Sequence, residues 1–328
     1  MKKLLIGFIS IMLLVVVAGC SETAKGEKNN KPKKITLDYA YYSPTSLVLK
    51  EFGWAEEEFE KDGIEVEFVL SHGGNKALEF LNSSSADFGS TAIAAALLAK
   101  EKGSPIESVY VFSRPEWTAL VTNKDSEIKS VKDLKGKKVA ATLGSEPYFF
   151  LLRALSEEGL SSDDVEIINL QHADGAVALS TKQVDAWAGL DPHMAKVELT
   201  TGAELFYRNP DFNTYGVLNV RSEFAEEYPD EVERVIKVYE KARKWAIENP
   251  QKTAEILAKE ASIDIDVALK QLERTDYSNS IPENVQVEAL QSVGEVLQKN
   301  NIIDKNADLE KLIDELINSD YANKVVVN

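Results

Sequence analysis

The chain is poor in several residues on which function often rests. Its 328 residues include one cysteine, three histidines and four tryptophans, and 37 lysines and arginines against 54 aspartates and glutamates leave a net charge of −17. One cysteine cannot make an intrachain disulfide framework, so packing must hold the fold. The deficit of positive charge excludes nucleic acid and broad adhesion to anionic lipid, because the summed field repels both. It leaves room for a small anion, which oriented backbone N–H groups in a buried site can hold while the outer surface stays acidic. His72, His172 and His193 match no common zinc spacing, so no metal is expected and the three read as polar loop residues, facing a cleft or exposed. There is no Gly-x-Ser-x-Gly elbow, no Gly-x-x-x-x-Gly-Lys phosphate loop and no cysteine placed for nucleophilic work. Neither catalysis nor a cofactor is expected.

What the chain does have begins at its start. Lys2 and Lys3 precede an apolar run from Leu4 to Val17 that ends in Val17-Ala18-Gly19-Cys20. The run suits a signal-peptide core and is too short for an ordinary membrane span. The small-residue site before the lone cysteine resembles a bacterial lipobox, which makes residues 1–19 a lipoprotein signal peptide and Cys20 a lipidated N-terminus. Each buried methylene contributes about 0.8 kcal/mol, so two or three acyl chains anchor where one holds marginally. Residues 20–34, polar and rich in lysine, read as a flexible tether. The protein is thus expected outside the cytoplasm, on the cell membrane, or on the outer membrane facing the periplasm if the host has two membranes.

The rest of the chain is at the size where one core stops growing, about 250–300 residues, and predicts two lobes. Residues 35–40 read as a strand, Leu47 to Lys61 as one amphipathic helix, and Ile64 to Leu70 as a period-two strand. Strand–helix alternation to about residue 221 predicts an α/β protein with mostly parallel sheets. An internal echo sharpens this reading. A strand ending at Ser71-His72, a glycine loop, a helix with Ala77 and Leu78 and then Ala86-Asp87-Phe88-Gly89 recur as Val165 to His172, Gly175, Ala178-Leu179 and Val184 to Gly189. The expected division is 35–122 for lobe one, 123–214 for lobe two and 215–328 for the return to lobe one. From Ser222 onward the pattern is helix after helix, with Pro229 and Pro250 at helix starts, expected to pack on lobe one.

Several stretches carry a family resemblance: Tyr41–Leu47, Ser71–Leu81, Ala86–Thr91, Ser130–Val139, Gly144-Ser145, Asp185–Pro192 and Asn213–Asn219. In order and spacing they resemble the substrate-binding lipoproteins of ABC importers for aliphatic sulfonates, taurine and nitrate, most of all the aliphatic-sulfonate group. The resemblance implies a bilobate type II periplasmic-binding-protein fold, two mostly parallel sheets flanked by helices with a helical C-terminal region. It further implies capture of a small organic anion between the lobes by a monomer, and delivery to a membrane permease and its ATPase. A related branch makes the thiamine pyrimidine, but the cysteine-rich stretch of those synthases is missing.

The candidate ligand-binding residues lie at strand–helix junctions, where unpaired N–H groups and helix dipoles favour anions. They are Tyr42, Ser43, Thr45, Ser46, Gly74, Asn75, Ser90, Thr91, Gly144 and Ser145, with Trp117, Trp187 and Tyr215 as walls for an organic tail and Asn213 and Thr214 beside them. Helix capping is the competing role for each hydroxyl. Asp191, before Pro192, reads as an N-cap with proline at the first helical position. Alternatively, Asp191 or Glu116 accepts from a ligand amine, which would point to taurine.

Overall fold

The structure is a computed structural model that describes residues 31–326, so the leader, Cys20 and the first part of the tether lie outside the described residues. The chain runs through β1 (Lys34–Tyr39), α1 (Pro44–Phe52), α2 (Trp54–Glu60), β2 (Glu65–Leu70), α3 (Gly74–Asn82), β3 (Phe88–Ala92), α4 (Ile93–Glu101) and β4 (Ile106–Pro115). It then crosses into β5 (Thr118–Thr122), β6 (Lys138–Ala141), α5 (Glu146–Glu157), β7 (Glu166–Asn169), α6 (His172–Ser180), β8 (Ala186–Leu190), α7 (His193–Thr201) and β9 (Glu204–Tyr207). It returns through β10 (Gly216–Arg221) to α8 (Ser222–Glu227), α9 (Pro229–Glu248), α10 (Pro250–Ala261), α11 (Ile265–Leu272), β11 (Thr275–Asp276), α12 (Asn284–Lys299), α13 (Leu309–Leu316) and α14 (Asp320–Val325).

Two sheets result, with strand orders β11-β4-β10-β3-β1-β2 and β7-β6-β8-β5-β9. The internal echo is visible in both: β1 lies between β2 and β3, and β6 lies between β7 and β8, all in parallel register. Beyond that core each sheet takes a long reversed strand, β10 against β3 and β4, or β5 against β8 and β9, and the two-residue β11 runs antiparallel to β4 at the edge of the first sheet. β10 and β5 are the two strands that the halves exchange, and they are reversed because a strand leaving one sheet enters the other from the opposite end. Sheet membership therefore changes between Pro115 and Thr118, one strand earlier than the expected boundary at 122 and 123, since β5 pairs with β8 and β9.

The expected helix from Leu47 to Lys61 is two helices. Gly53, at φ +62°, caps α1 and turns the chain into α2, a left-handed conformation that glycine adopts at no steric cost. The apolar packing also departs from one core per lobe. One cluster runs from the six-stranded sheet through α4, α5 and α12 to one face of the second sheet. A smaller cluster fills the opposite face, beneath α6 and α7. Period-two alternation decides the sides: Val139, Ala141, Ala186 and Ala188 join the large cluster, while Ala140 and Trp187 join the small one.

The C-terminal helices pack mainly on the first sheet, with α9 against α1 and β4, but α12 bridges α4 and α5 and α11 touches α7. The tail therefore clasps both halves and not lobe one alone. Where the chain crosses between sheets, Arg208 clamps Glu116 through two hydrogen bonds of 2.7 Å, and Arg114 pairs with Asp211 at 3.1 Å. Among the described residues no helix is long and apolar enough to cross a membrane.

Candidate ligand-binding site

Between the two sheets lies a small cavity of about 10 Å3 lined by Tyr42, Gly74, Ala92, Ala95, Trp117, Ser145, Glu146, Pro147, His172 and Leu190. That is about one water's worth of space, so a larger ligand requires the walls to part. Four helices begin at its wall. Gly74 opens α3, Ala92 precedes α4, Ser145 precedes α5 and His172 opens α6. The first N–H groups of a helix have no intrahelical partner, though at α4 Ile93 N already donates to the Tyr215 carbonyl, and the helix dipole leaves partial positive charge there, contributing about 0.3–1 kcal/mol to an anion and up to ~2 kcal/mol when partly buried. The lining holds no lysine or arginine.

Two polar atoms on the lining side chains are buried without partners, Trp117 Nε1 and His172 Nε2. Trp117 meets Tyr42 edge to face, with ring centroids 6.0 Å apart. The Tyr42 hydroxyl donates to the Ser90 carbonyl at 2.8 Å, which leaves its ring as the surface offered to the cavity. Glu146 is buried, and its carboxyl accepts from Thr214 N at 2.5 Å and Thr214 Oγ1 at 2.8 Å. Burial pushes its pKa up to about 7, against the two Thr214 hydrogen bonds that favour the ionised form. His172 is 1% exposed, and burial together with His193 brings its pKa down to about 3. Its imidazole is therefore neutral near pH 7. Beside the cavity, and sharing Ala95 with it, an outer groove of about 410 Å3 is lined by Leu78, Leu98 and Ala99 together with Asn75, Gly144 and the polar Glu79, Asn82, Lys102 and Ser104.

The family model described as NMT1/THI5-like matches residues 50–253. The chain belongs to the NMT1/THI5-like family. A Bacillus subtilis (strain 168) relative named "putative aliphatic sulfonates-binding protein" is 31% identical over 96% of this chain and 95% of its own. The solved structure of the alkanesulfonate-binding protein SsuA from Xanthomonas axonopodis pv. citri, bound to MOPS, superposes with a TM-score of 0.79 at 23% identity, covering 86% of this chain and 98% of that one. This likeness shows the periplasmic-binding-protein fold. A more distant relative, 29% identical over 43% of this chain and 40% of its own, is named 4-amino-5-hydroxymethyl-2-methylpyrimidine phosphate synthase, from Schizosaccharomyces pombe (strain 972 / ATCC 24843). The strong similarity is thus to a protein named for binding, and the enzyme is the remoter relative.

Of the residues expected from sequence in this NMT1/THI5-like chain, Tyr42, Gly74, Trp117 and Ser145 line the cavity, and Asn75 and Gly144 line the outer groove. Others brace the walls. Ser46 Oγ donates to the Ser43 carbonyl and accepts from Ala40 N, fixing the turn before α1, while Ser145 Oγ donates to the Thr142 carbonyl. Ser43 and Thr45 are buried in that first turn with unpartnered hydroxyls and are absent from the cavity lining. Ser90 N donates to Asp38, and Thr91 Oγ1 accepts from Asn219, tying β3 to its neighbours. Asn213 bonds both ways to the Thr118 backbone, and the Tyr215 carbonyl accepts from Ile93 N at the start of α4.

Two expected residues lie elsewhere. Trp187 is a core residue on the α6 and α7 face, as the alternation of β8 dictates, and it packs so closely on Gly175 that a Cβ there would stand 2.5 Å from Nε1. Asp191 accepts from Ala195 N at 2.9 Å and pairs with Arg274 at 3.3 Å. It braces the start of α7, with Pro192 at the N-cap and His193 as the first helical residue, and not proline in that position. Glu116, the other suggested amine acceptor, is held by Arg208. Ala92, Ala95, Glu146, Pro147, His172 and Leu190 were not among the expected site residues. The echo supplied the missing signal for His172, which stands where the first repeat has its loop between β2 and α3.

Proposed function

We propose that this protein is the extracytoplasmic solute-binding component of an ABC importer and that it captures an aliphatic sulfonate in the cavity between its sheets. The observation that carries this reading is the set of four helix starts around one cavity without a cationic side chain. A permanently charged head with three acceptor oxygens suits several converging N–H donors, of which Trp117 Nε1 is the indole one, with Gly74, Asn75, Gly144 and Ser145 supplying edges of the wall. The Leu78, Leu98 and Ala99 stretch of the outer groove, bordered by Glu79, Asn82 and Lys102, suits an alkyl tail. The name of the B. subtilis relative points the same way. On this reading the crossing segments near 115–118 and 207–216 are the hinge, a monomer delivers its ligand to a permease served by an ATPase, and Cys20 carries the lipid anchor.

Calorimetric titration with alkanesulfonates, taurine, nitrate, sulfate and a formylaminopyrimidine tests the reading. Saturable binding of the sulfonates, with the ligand recovered unaltered by NMR, is expected. Binding of nitrate or the pyrimidine alone, or conversion of the ligand, overturns it.

A further inference from the structure

The donors and acceptors of the cavity are not evenly spread. Trp117, on the crossing segment, presents an N–H without a partner; on the side of α5 and α6, Glu146 and His172 face the same space. The state of His172 follows from its neighbour. The Thr142 hydroxyl has one proton and donates it to the Leu170 carbonyl at 2.7 Å. The 3.1 Å contact between Thr142 Oγ1 and His172 Nδ1 must then have the imidazole donating. A neutral imidazole with its proton on Nδ1 carries a lone pair on Nε2. That Nε2 is buried and without a partner, and the residue opposite it is Gly73, where an added Cβ would stand only 2.8 Å away. The absence of a side chain at Gly73 keeps the lone pair uncovered.

We infer that His172 is the specificity-determining residue of this site, an acceptor for a ligand N–H or O–H, so that the protein selects sulfonates bearing a hydrogen-bond donor near the head over plain alkanesulfonates. The inference rests on the sulfonate reading above and deepens it. A ligand lacking the donor leaves a buried acceptor unpaired, which is the larger part of the discrimination such a group makes. Burial keeps His172 neutral, so the acceptor persists across the physiological range.

The test uses three sulfonates of nearly one size, taurine and isethionate with a donor and ethanesulfonate without. In calorimetry on the full chain, at least one donor-bearing ligand is expected to bind about ten-fold more tightly than ethanesulfonate. His172→Leu is expected to bring the three within about two-fold of one another while ethanesulfonate binding is kept. Thr142→Val, which removes the acceptor that holds the Nδ1 proton, is expected to erode the same preference with the imidazole still in place, and it serves if His172→Leu fails to fold. Equal binding of all three by the native protein overturns the inference, as does a preference that survives both substitutions. Failure of every sulfonate to bind overturns the functional reading as well, and so is told apart.

Discussion

Gly73→Ala is the sharpest probe of how the two halves meet. The φ of Gly73 is 169°, extended backbone that any residue adopts, so the chain itself does not demand glycine there. The obstacle is across the cavity. A Cβ at 73 would lie 2.8 Å from His172 Nε2 and 3.1 Å from its Cδ2, about 0.6 Å inside the 3.4 Å at which ordinary contact begins. The Asn75 Oδ1 atom, 2.7 Å away, ends a short side chain that can swing aside, but His172 is buried and tied to Thr142. Overpacking of this kind costs about 1–3 kcal/mol, which at ~1.4 kcal/mol per decade is about 5- to 150-fold in Kd. The cost falls on the closed arrangement, since parting the halves relieves it. Sulfonate affinity measured by calorimetry should therefore drop while the melting temperature of the ligand-free protein changes little. The loss should vanish when ethanesulfonate is tested in a His172→Ala background. A native Kd for Gly73→Ala, or an undiminished loss without the imidazole, refutes the reasoning.

Trp117→Phe keeps a six-membered ring but removes the unpartnered N–H and part of the buried indole, so the thermal midpoint should fall somewhat and sulfonate affinity by about 1.5–3 kcal/mol, about 10- to 150-fold; unaltered affinity removes the indole from the site. Glu146 holds its proton to about pH 7 in the folded chain against an ordinary 4.5, so the folded state binds more protons between these values and native stability falls as pH rises through them. Glutamine cannot ionise, and the stability of Glu146→Gln relative to native should rise by up to about 3 kcal/mol between pH 4.5 and 8 in denaturant melts; a difference independent of pH contradicts the assignment. Glu116→Gln removes a clamp between the crossing segments and should change stability by less than about 1 kcal/mol without altering taurine affinity, whereas a selective loss of taurine makes Glu116 the amine acceptor after all. If the alkyl tail lies along Leu78, Leu98 and Ala99, each added methylene contributes about 0.8 kcal/mol, and Kd should tighten about four-fold per carbon from methanesulfonate upward until the groove is filled; a flat series places the tail elsewhere.

The parts of this architecture legible in the sequence were those written by local periodicity. The alternation of Glu65 to Leu70 gave β2, and the recurrence of strand, glycine loop and helix gave the paired halves, because each signal lies within one supersecondary unit. The boundary at 122 missed β5 for a physical reason: Thr118–Thr122 is buried on both faces, and only its pairing with β8 and β9 assigns it to the second sheet. Trp187 shows the same limit. A tryptophan at a strand end can face a cleft or a helix layer, and the choice depends on which helices cover which face of the sheet. Of the serines expected at helix starts only Ser145 lines the cavity, and Ser46 and Ser145 both spend their hydroxyls on their own turns. Glu146 was passed over although it adjoins Ser145, since nothing local announces that a carboxyl will be buried and bonded to Thr214, 68 residues on.

The buried carboxyl brings the electrostatics of the site into focus. A chain of net charge −17 repels an approaching sulfonate at long range, so attraction has to be generated where water is excluded and fields are short. Four helix starts at about 0.3–1 kcal/mol each supply roughly 1–4 kcal/mol, and the indole N–H about 1.5–3 kcal/mol. Micromolar capture takes about 8 kcal/mol, so tail burial or further hydrogen bonds must provide the remainder. A guanidinium clamp would hold the anion more tightly and would do so whether or not the halves had closed. Dipoles and N–H groups drawn from both halves act together only when the walls meet, and an ionised Glu146 at the same wall sets a further penalty on any anion. On the proposed reading, affinity built in this way depends on closure, and parting the walls about the crossing segments dismantles it, which is what release of the solute to a membrane partner requires.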